Sequence, residues 1–236
     1  MTIDFGRAMG DLFSTPKKWI TILGMCVCSL IPVAGYMVML GYLTRRFTRE
    51  RQGHPPEDFE FGFFAEYLKI GLWPVLATLV LTCGLIPVAM AFVIPVALAD
   101  PLMEKSPDLG GALIAGGVVL YLLSIALFTI VLYPVILRSA LTMNFAAGFS
   151  WTFIRSFLAK VGLSLVGYFV ILGLVSIPLI LLGYLALLVG VYLAGVWIQF
   201  MQVHLVFQHY DLYLARGGEP VRINPEITKD YWGLPG

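Results

Sequence analysis

Charged side chains are scarce in this sequence. Asp, Glu, Lys and Arg make up 12% of the 236 residues, whereas apolar residues make up 59%. A soluble domain of this size needs more charge than that to cover its surface, so lipid must cover much of the chain. The formal net charge of +1 also argues against a nucleic-acid-binding protein, which would carry a strong basic excess.

The motifs of soluble enzymes are missing as well. The sequence contains no glycine-rich phosphate loop, no His/Cys cluster with metal-ligand spacing and no nucleophile motif in a usable context. Its three cysteines, Cys26, Cys28 and Cys83, lie inside apolar runs and favour buried thiols over a redox or metal site. We therefore expect no catalytic residue, no metal and no cofactor, and we predict that the protein is not an enzyme.

Long apolar runs dominate the chain instead. Residues 161–210 are fifty residues without a charge, about twice the length of helix that crosses a hydrocarbon core ~30 Å thick. They predict two helices with a turn near residues 177–184, where Pro178 and Gly183 weaken the helix. Two further charge-free runs, residues 70–99 and 109–137, predict two more spans.

Residues 19–44 form a shorter charge-free run that is broken by Pro32 and two glycines. The run fits one kinked span, or two short half-helices that turn at Pro32 and return to the side they left. Basic residues flank both of its ends, which favours the second alternative under the positive-inside rule. The predicted fold is an all-α polytopic transmembrane bundle with four spans, a proline-broken N-terminal segment that either spans or re-enters, and interfacial amphipathic helices.

The chain divides into three predicted parts: an N-terminal interfacial segment (1–18), a transmembrane domain (19–210) and an irregular cytoplasmic tail (211–236). Basic loops at 45–69 and 138–160 predict cytoplasmic faces of a multi-pass protein in the cell inner membrane. Residues 69–87 match residues 160–178 at seven of nineteen positions, among them Lys69 with Lys160 and Pro87 with Pro178. This offset predicts a parallel internal repeat over about 59–98 and 150–189.

Two sets of residues are candidate functional sites. The first would contact anionic lipid or a protein partner, or would only anchor the topology. Its members are Arg45, Arg46, Arg49, Arg51, Trp151 and Arg155. The second is a polar face on the last span, which either lines a pathway or is the end of the helix emerging at the interface. Its members are Gln199, Gln202, His204 and Gln208.

The order of short motifs in the first 70 residues supports a family resemblance. The motifs are Lys17-Lys18-Trp19, Leu30-Ile31-Pro32, Gly41-Tyr42-Leu43, Arg45-Arg46, Pro55-Pro56 and Asp58-Phe59. In this order the chain resembles a domain-of-unknown-function family of small polytopic membrane proteins from bacteria and archaea. That family is distantly similar to the membrane domain of some glycerophosphodiester phosphodiesterases. The resemblance implies no activity and no functional residue.

The contrast between developed interface features and the absence of a buried charge pair in the sequence pattern favours a non-catalytic function. We expect a membrane scaffold or accessory subunit that binds membrane lipids and either a protein partner or a second copy of itself. The alternative is a lipid or small-molecule transporter whose path runs beside Pro87 and Pro178, where freed carbonyl groups would line a cavity.

Overall fold

The computed structural model of the protein describes residues 2–229, apart from the side chains at positions 88, 89, 91, 92, 94–96, 98, 100–102, 104, 105, 187 and 188. Over this range the chain forms helices and no β-strand. The helices are α1 (Phe5–Gly10), α2 (Lys18–Ser29), α3 (Ala34–Arg51), α4 (Phe64–Lys105), α5 (Pro107–Thr142), α6 (Phe145–Gly148), α7 (Trp151–Leu185), α8 (Leu187–Ala215) and α9 (Pro225–Thr228). Short 3-10 helices occur at Asp11–Phe13 and Phe61–Phe63. The predicted all-α bundle is confirmed.

Four stretches of helix in the described range are long and apolar enough to cross a membrane. They are Phe61–Pro87, Pro107–Thr142, Trp151–Leu185 and Val189–Ala215. With its 36 residues α5 is about 54 Å long, more than the ~30 Å of a hydrocarbon core, so it must tilt or project beyond the core. The four predicted spans are confirmed, and the chain is a multi-pass membrane protein.

The long helices pair as antiparallel hairpins, α2 with α3, α4 with α5 and α7 with α8. The open ends of all three hairpins meet at one end of the bundle, here named the polar end and formed by residues 2–17, 45–66, 138–160 and 208–229. Three hydrogen bonds join these segments: Asp58 Oδ1 accepts from the Lys17 N–H at 2.8 Å, Leu141 O from the Asn224 N–H at 2.8 Å, and Arg216 O from Lys160 Nζ at 2.7 Å. The Asp4 N–H donates to Gln208 Oε1 at 2.7 Å and so joins the first two segments to the last two. The loops at 45–69 and 138–160 therefore lie at the same end.

The N-terminal run adopts the hairpin alternative. Helix α2 has 12 residues and is about 18 Å long, too short to cross a ~30 Å core. The chain reverses at residues 30–33, where Val33 has φ +62°, and a Cβ on Gly35 would lie 1.7 Å from the Cys28 carbonyl oxygen. Asp11, before α2, contacts Arg46, near the end of α3, so both open ends of this hairpin are at the polar end.

The predicted turn between the last two spans is wrong. Helix α7 continues through Pro178 to Leu185, and the chain reverses at Ala186. Ending the helix at Pro178 would leave several carbonyl groups without partners inside the membrane, whereas continuing past one proline loses a single hydrogen bond. The reversal falls where Gly183 and Gly190 touch, since a Cβ on Gly183 would lie 2.8 Å from the Gly190 oxygen.

The predicted irregular tail is wrong over residues 211–215 and 225–228, which are helical. Helix α8 runs five residues beyond 210 to Ala215, and the chain then folds back onto the polar end. The Val221 N–H donates to the Tyr210 hydroxyl at 2.7 Å, and Ile227 in α9 is fully buried. Ile227 is an apolar residue that covers part of the helical bundle. A search for charge-free runs does not detect such a single residue. Residues 230–236 of the predicted tail lie outside the described range.

The predicted N-terminal segment packs against α8. Ala8 and Leu12 are fully buried, and the Trp197 indole N–H donates to the Met9 carbonyl oxygen at 2.9 Å. The two copies of the predicted repeat coincide with α4 and α7, each of which is the first helix of a hairpin. Their relationship by duplication stays a prediction.

Candidate functional site

A buried arginine lies at the centre of the polar end. Arg46 is on α3, which carries it out of the apolar run to the level of the 3-10 helix Asp11–Phe13, and its side chain is 0% exposed. Its Nη2 lies 3.2 Å from Asp11 Oδ1 and its Nε lies 2.7 Å from Glu50 Oε1. The guanidinium carbon is 4.6 Å from the centre of the Phe200 ring. The same carbon is 5.6 Å from the centre of the Phe47 ring, so the planar guanidinium contacts two carboxylates and two aromatic rings.

Asp11 joins this arginine to a histidine. Its Oδ2 lies 2.8 Å from His204 Nδ1, and the Ser14 hydroxyl donates to Oδ1 at 3.0 Å. Burial alone would raise the pKa of the Asp11 carboxyl group. The hydrogen bond from His204 and the charge of Arg46 outweigh burial and hold this pKa below its ordinary value. Asp11 is therefore ionised at neutral pH and links α3 to α8.

A cavity of about 420 Å³ adjoins this cluster and is here named the first cavity. Its lining combines acids, bases, one amide and two aromatic rings. The lining residues are Thr2, Asp4, Arg7, Phe47, Glu50, Arg51, His204, Phe207, Gln208 and Asp211. Arg51 donates to Asp211 through Nε at 2.7 Å and through Nη2 at 2.5 Å. Gln208 bonds the backbone N–H and C=O of Asp4, which fixes the N-terminus over the cavity.

The chemistry available in the first cavity is proton transfer and polar binding. A histidine held by a carboxylate can accept or donate a proton. The described lining offers neither a cysteine nor a serine that this histidine could activate, and the described residues hold no group of three or more metal-type ligands.

The six residues predicted to contact lipid or a partner separate into two groups. Arg45, Arg46 and Arg49 are 2%, 0% and 6% exposed, and Arg45 and Arg49 approach Glu57 to 3.1 Å and 2.6 Å. They pair inside the chain, contrary to the interpretation that they contact lipid or a partner, because Glu57 folds back onto α3 from the following segment and Asp11 reaches it from before α2. Arg51 is paired with Asp211, as described above.

The other two residues of that set, Trp151 and Arg155, lie on the surface. Trp151 is 70% exposed at the start of α7, and Arg155 is exposed one turn later. Contact of these two side chains with lipid or with a partner stays a prediction.

The predicted polar face of the last span is divided by the structure. His204 and Gln208 line the first cavity, whereas Gln202 donates to the Tyr133 hydroxyl at 3.3 Å in the bundle. The Gln199 Nε2 atom is buried and has no partner among the described residues. The void next to Tyr133 measures about 10 Å³, which is too small for a solute. Sequence reasoning missed Asp11 and Glu57, whose only signal was an acid close to an apolar run.

Residues 24–194 match the family model described as protein of unknown function (DUF4013). The chain belongs to this family. The match begins within α2, ends within α8 and includes Arg46, whereas Asp11 and His204 lie outside the matched residues. Neither a curated protein nor a solved structure matches the chain. Membership in DUF4013 confirms the predicted relation to a family of unknown function and supplies no activity.

Proposed function

We propose that the protein is a non-catalytic membrane scaffold or accessory subunit, and that the outer face of α5 binds another transmembrane helix. The observation that carries this proposal is a face of small residues that the chain itself does not use. A Cβ added to Gly111 or Gly116 would meet no atom within 4 Å, and Ala112 and Ala115 are exposed. Small residues four apart let two helix backbones approach closely in a membrane.

The chain uses glycine for this purpose elsewhere. Where α3 crosses α4, a Cβ on Gly41 would lie 1.9 Å from the Tyr67 carbonyl oxygen, and one on Gly71 would lie 1.8 Å from the Met37 carbonyl oxygen. These helices touch through their backbones, and only glycine fits. Gly111 and Gly116 on α5 have no such neighbour in the described chain. Their free surface supports a contact with a helix of another chain.

The surroundings of this face also support helix association. Pro107–Thr142 has a mean hydropathy of 2.5, and only 6% of its most apolar window is buried within the chain. Apolarity alone requires only lipid as a neighbour, because lipid tails are as apolar as leucine. The four-residue spacing of Ala112 and Gly116 adds the groove that a helix would fill. The partner is either a second copy of this chain or another membrane protein.

The premise that the sequence holds no buried charge pair is wrong, because Arg46 and Asp11 form one at the polar end. Ion pairs of this kind nevertheless support a structural function rather than catalysis. Arg45, Arg46 and Arg49 all contact carboxylates of the same chain. Buried pairs of this kind hold segments in register, and they leave no free charge for a substrate. We propose that this end faces the cytoplasm of a cell whose inner membrane holds the protein, because the 138–160 loop contains three basic residues and no acid.

Substitution on α5 tests the proposal. Gly111→Leu with Gly116→Leu fills the groove, and we expect the complex extracted in mild detergent to fall to the mass of one chain. Tyr121→Trp adds bulk on an exposed position of α5 about 180° around the helix from Ala112 and should leave the complex intact. A wild-type protein that is monomeric and free of stoichiometric partners would refute the proposal.

Transport of a lipid or small molecule is the second candidate. It is supported by the buried, unpartnered Nε2 of Gln199 and by Gln202, which are polar groups within a span. Gln199→Leu and Gln202→Leu should then lower flux into reconstituted vesicles, and unchanged flux would exclude this route. The likeness to the membrane domain of glycerophosphodiester phosphodiesterases stays a prediction and brings no activity with it.

A further inference from the structure

A second cavity, of about 500 Å³, lies at the polar end and shares no lining residue with the first. The last turn of α5, the first turns of α7 and the chain after α8 surround it. Arg138 comes from α5, Ser150, Thr152 and Ser156 come from the start of α7, and Arg222 comes from the returning tail. Two cations and several hydroxyl groups thus converge from three segments that are distant in sequence.

The two arginines of the second cavity differ from those of α3. Arg138 and Arg222 have no ion pair with any described residue, whereas Arg45, Arg46, Arg49 and Arg51 all meet a carboxylate. The Arg138 guanidinium carbon lies 5.0 Å from the centre of the Phe153 ring, which orients the side chain. Its Nε is buried and finds no acceptor in the described chain. An oriented guanidinium without an acceptor suits an external anion.

The other polar groups of the second cavity are compatible with an anion. The Ser156 and Tyr213 hydroxyls lie 3.3 Å apart, and the Tyr213 hydroxyl also accepts the Glu219 N–H at 3.1 Å. Glu219 also lines the second cavity, but it is exposed, so water screens its negative charge. Ser150 precedes the 35-residue α7 and its side chain makes no capping hydrogen bond, so the first N–H groups of α7 lack that acceptor. The positive end of the helix dipole adds to the two arginines.

The position of the second cavity along the bundle indicates the source of the anion. Arg138 follows directly on the apolar run 109–137, at the depth where a span meets the headgroups. Trp151, next to Ser150, is 70% exposed, as is typical of a tryptophan at a membrane interface. A lipid phosphate at this depth would be within reach of the cavity.

We propose that the second cavity binds a phosphate group, with Arg138 and Arg222 as the cationic ligands and the hydroxyls of Ser150 and Thr152 as further donors. The group belongs either to an anionic phospholipid or to a free phosphate ester. This inference goes beyond the proposed function and rests on it only in taking the polar end to lie at a membrane surface. It does not depend on the association of α5.

The test uses the full chain in phosphatidylcholine nanodiscs doped with phosphatidic acid. The lipid that stays bound after transfer to detergent is measured by native mass spectrometry, and inorganic phosphate is titrated calorimetrically into the detergent-purified protein. We expect Arg222→Gln to lower retention of phosphatidic acid about tenfold, the effect of one charge-assisted contact, and Arg138→Gln with Arg222→Gln to lower it further. Arg222 is exposed, so its substitution leaves the fold intact.

Lys18→Gln is the matched control, because Lys18 is an exposed cation next to the polar end, at the start of α2, and does not line the second cavity. Retention that depends on the two arginines and not on Lys18 identifies a lipid phosphate. Inorganic phosphate that binds with the same dependence, without selective lipid retention, identifies a free phosphate. Equal retention in wild type and in the Arg222→Gln variant, without phosphate binding, would overturn the proposal. An equal loss in the Lys18→Gln variant would also overturn it, since diffuse surface charge would then suffice.

Discussion

Replacing Arg46 by methionine removes the centre of the buried ion-paired cluster. Asp11 loses a cation 3.2 Å away and keeps His204 and Ser14, and Glu50, whose side chain is 17% exposed, turns to water. Breaking a buried ion pair by removing one partner costs about 3–5 kcal/mol. Methionine retains much of the contact with Phe200, which places the expected loss at the lower end, about 3 kcal/mol.

Thermal unfolding of the detergent-purified protein, followed by near-UV circular dichroism, measures this loss. For a chain of this length about 3 kcal/mol corresponds to a fall in Tm of roughly 6–12 °C. Arg51→Met is the control on the same helix, because the Arg51 and Asp211 side chains are 27% and 23% exposed. Solvent screens this pair, and its loss should cost about 1 kcal/mol.

Arg46→Lys separates the effect of charge from that of geometry. Lysine keeps the positive charge beside Asp11 but cannot reproduce the planar fork that also reaches Glu50, so we expect a Tm between those of wild type and Arg46→Met. Equal Tm values for Arg46→Met and Arg51→Met would refute the reasoning, since the buried cluster would then contribute no more than a surface pair.

Three further predictions concern packing, pH and the tail. Gly71→Ala places a methyl group 1.8 Å from the Met37 oxygen, so Tm should fall by the equivalent of about 3 kcal/mol, whereas Gly84→Ala, in open space, should leave Tm unchanged. The folded pKa of Asp11 is below its unfolded value of about 3.9, so its ionised form stabilises the protein above about pH 4, and this contribution is lost as the pH falls through the folded pKa. The difference in Tm between wild type and Asp11→Asn should therefore be largest at neutral pH and shrink at pH ~3, and a difference independent of pH would contradict this. Ile227→Asp puts a charge into a fully buried position, so limited proteolysis should cleave the variant after α8 while wild type resists.

The spans could be predicted from sequence because they depend on a single physical requirement. A charge-free run of sufficient length must be helical in a membrane, whatever its neighbours are. The same requirement leaves two alternatives for residues 19–44, because 26 residues have the length of one span or of two half-helices. The tight contact of Gly35 with Cys28 closes the hairpin, and such a contact between segments is not visible in a periodicity.

The buried cluster could not be predicted because its partners are far apart in the chain. Arg46 reads as a surface charge when it is considered beside Arg45 and Arg49, and only the packing of residues 2–17 onto α8 brings Asp11 to it. His204 was recognised as a polar residue on the last span, but its partner lies 193 residues away. Long-range pairing of polar residues leaves no local spacing in the sequence.

Photo-crosslinking at position 112 in native membranes tests the central claim, the association of α5 with another helix, most directly. A photoreactive amino acid in place of Ala112 should give one discrete crosslinked product of higher mass, and the product should disappear when Gly116→Leu is added. The same amino acid at position 121, about 180° around the helix from position 112, should give no such product. Crosslinks to lipid alone at both positions would contradict the account, because the small-residue face of α5 would then be a lipid-exposed surface.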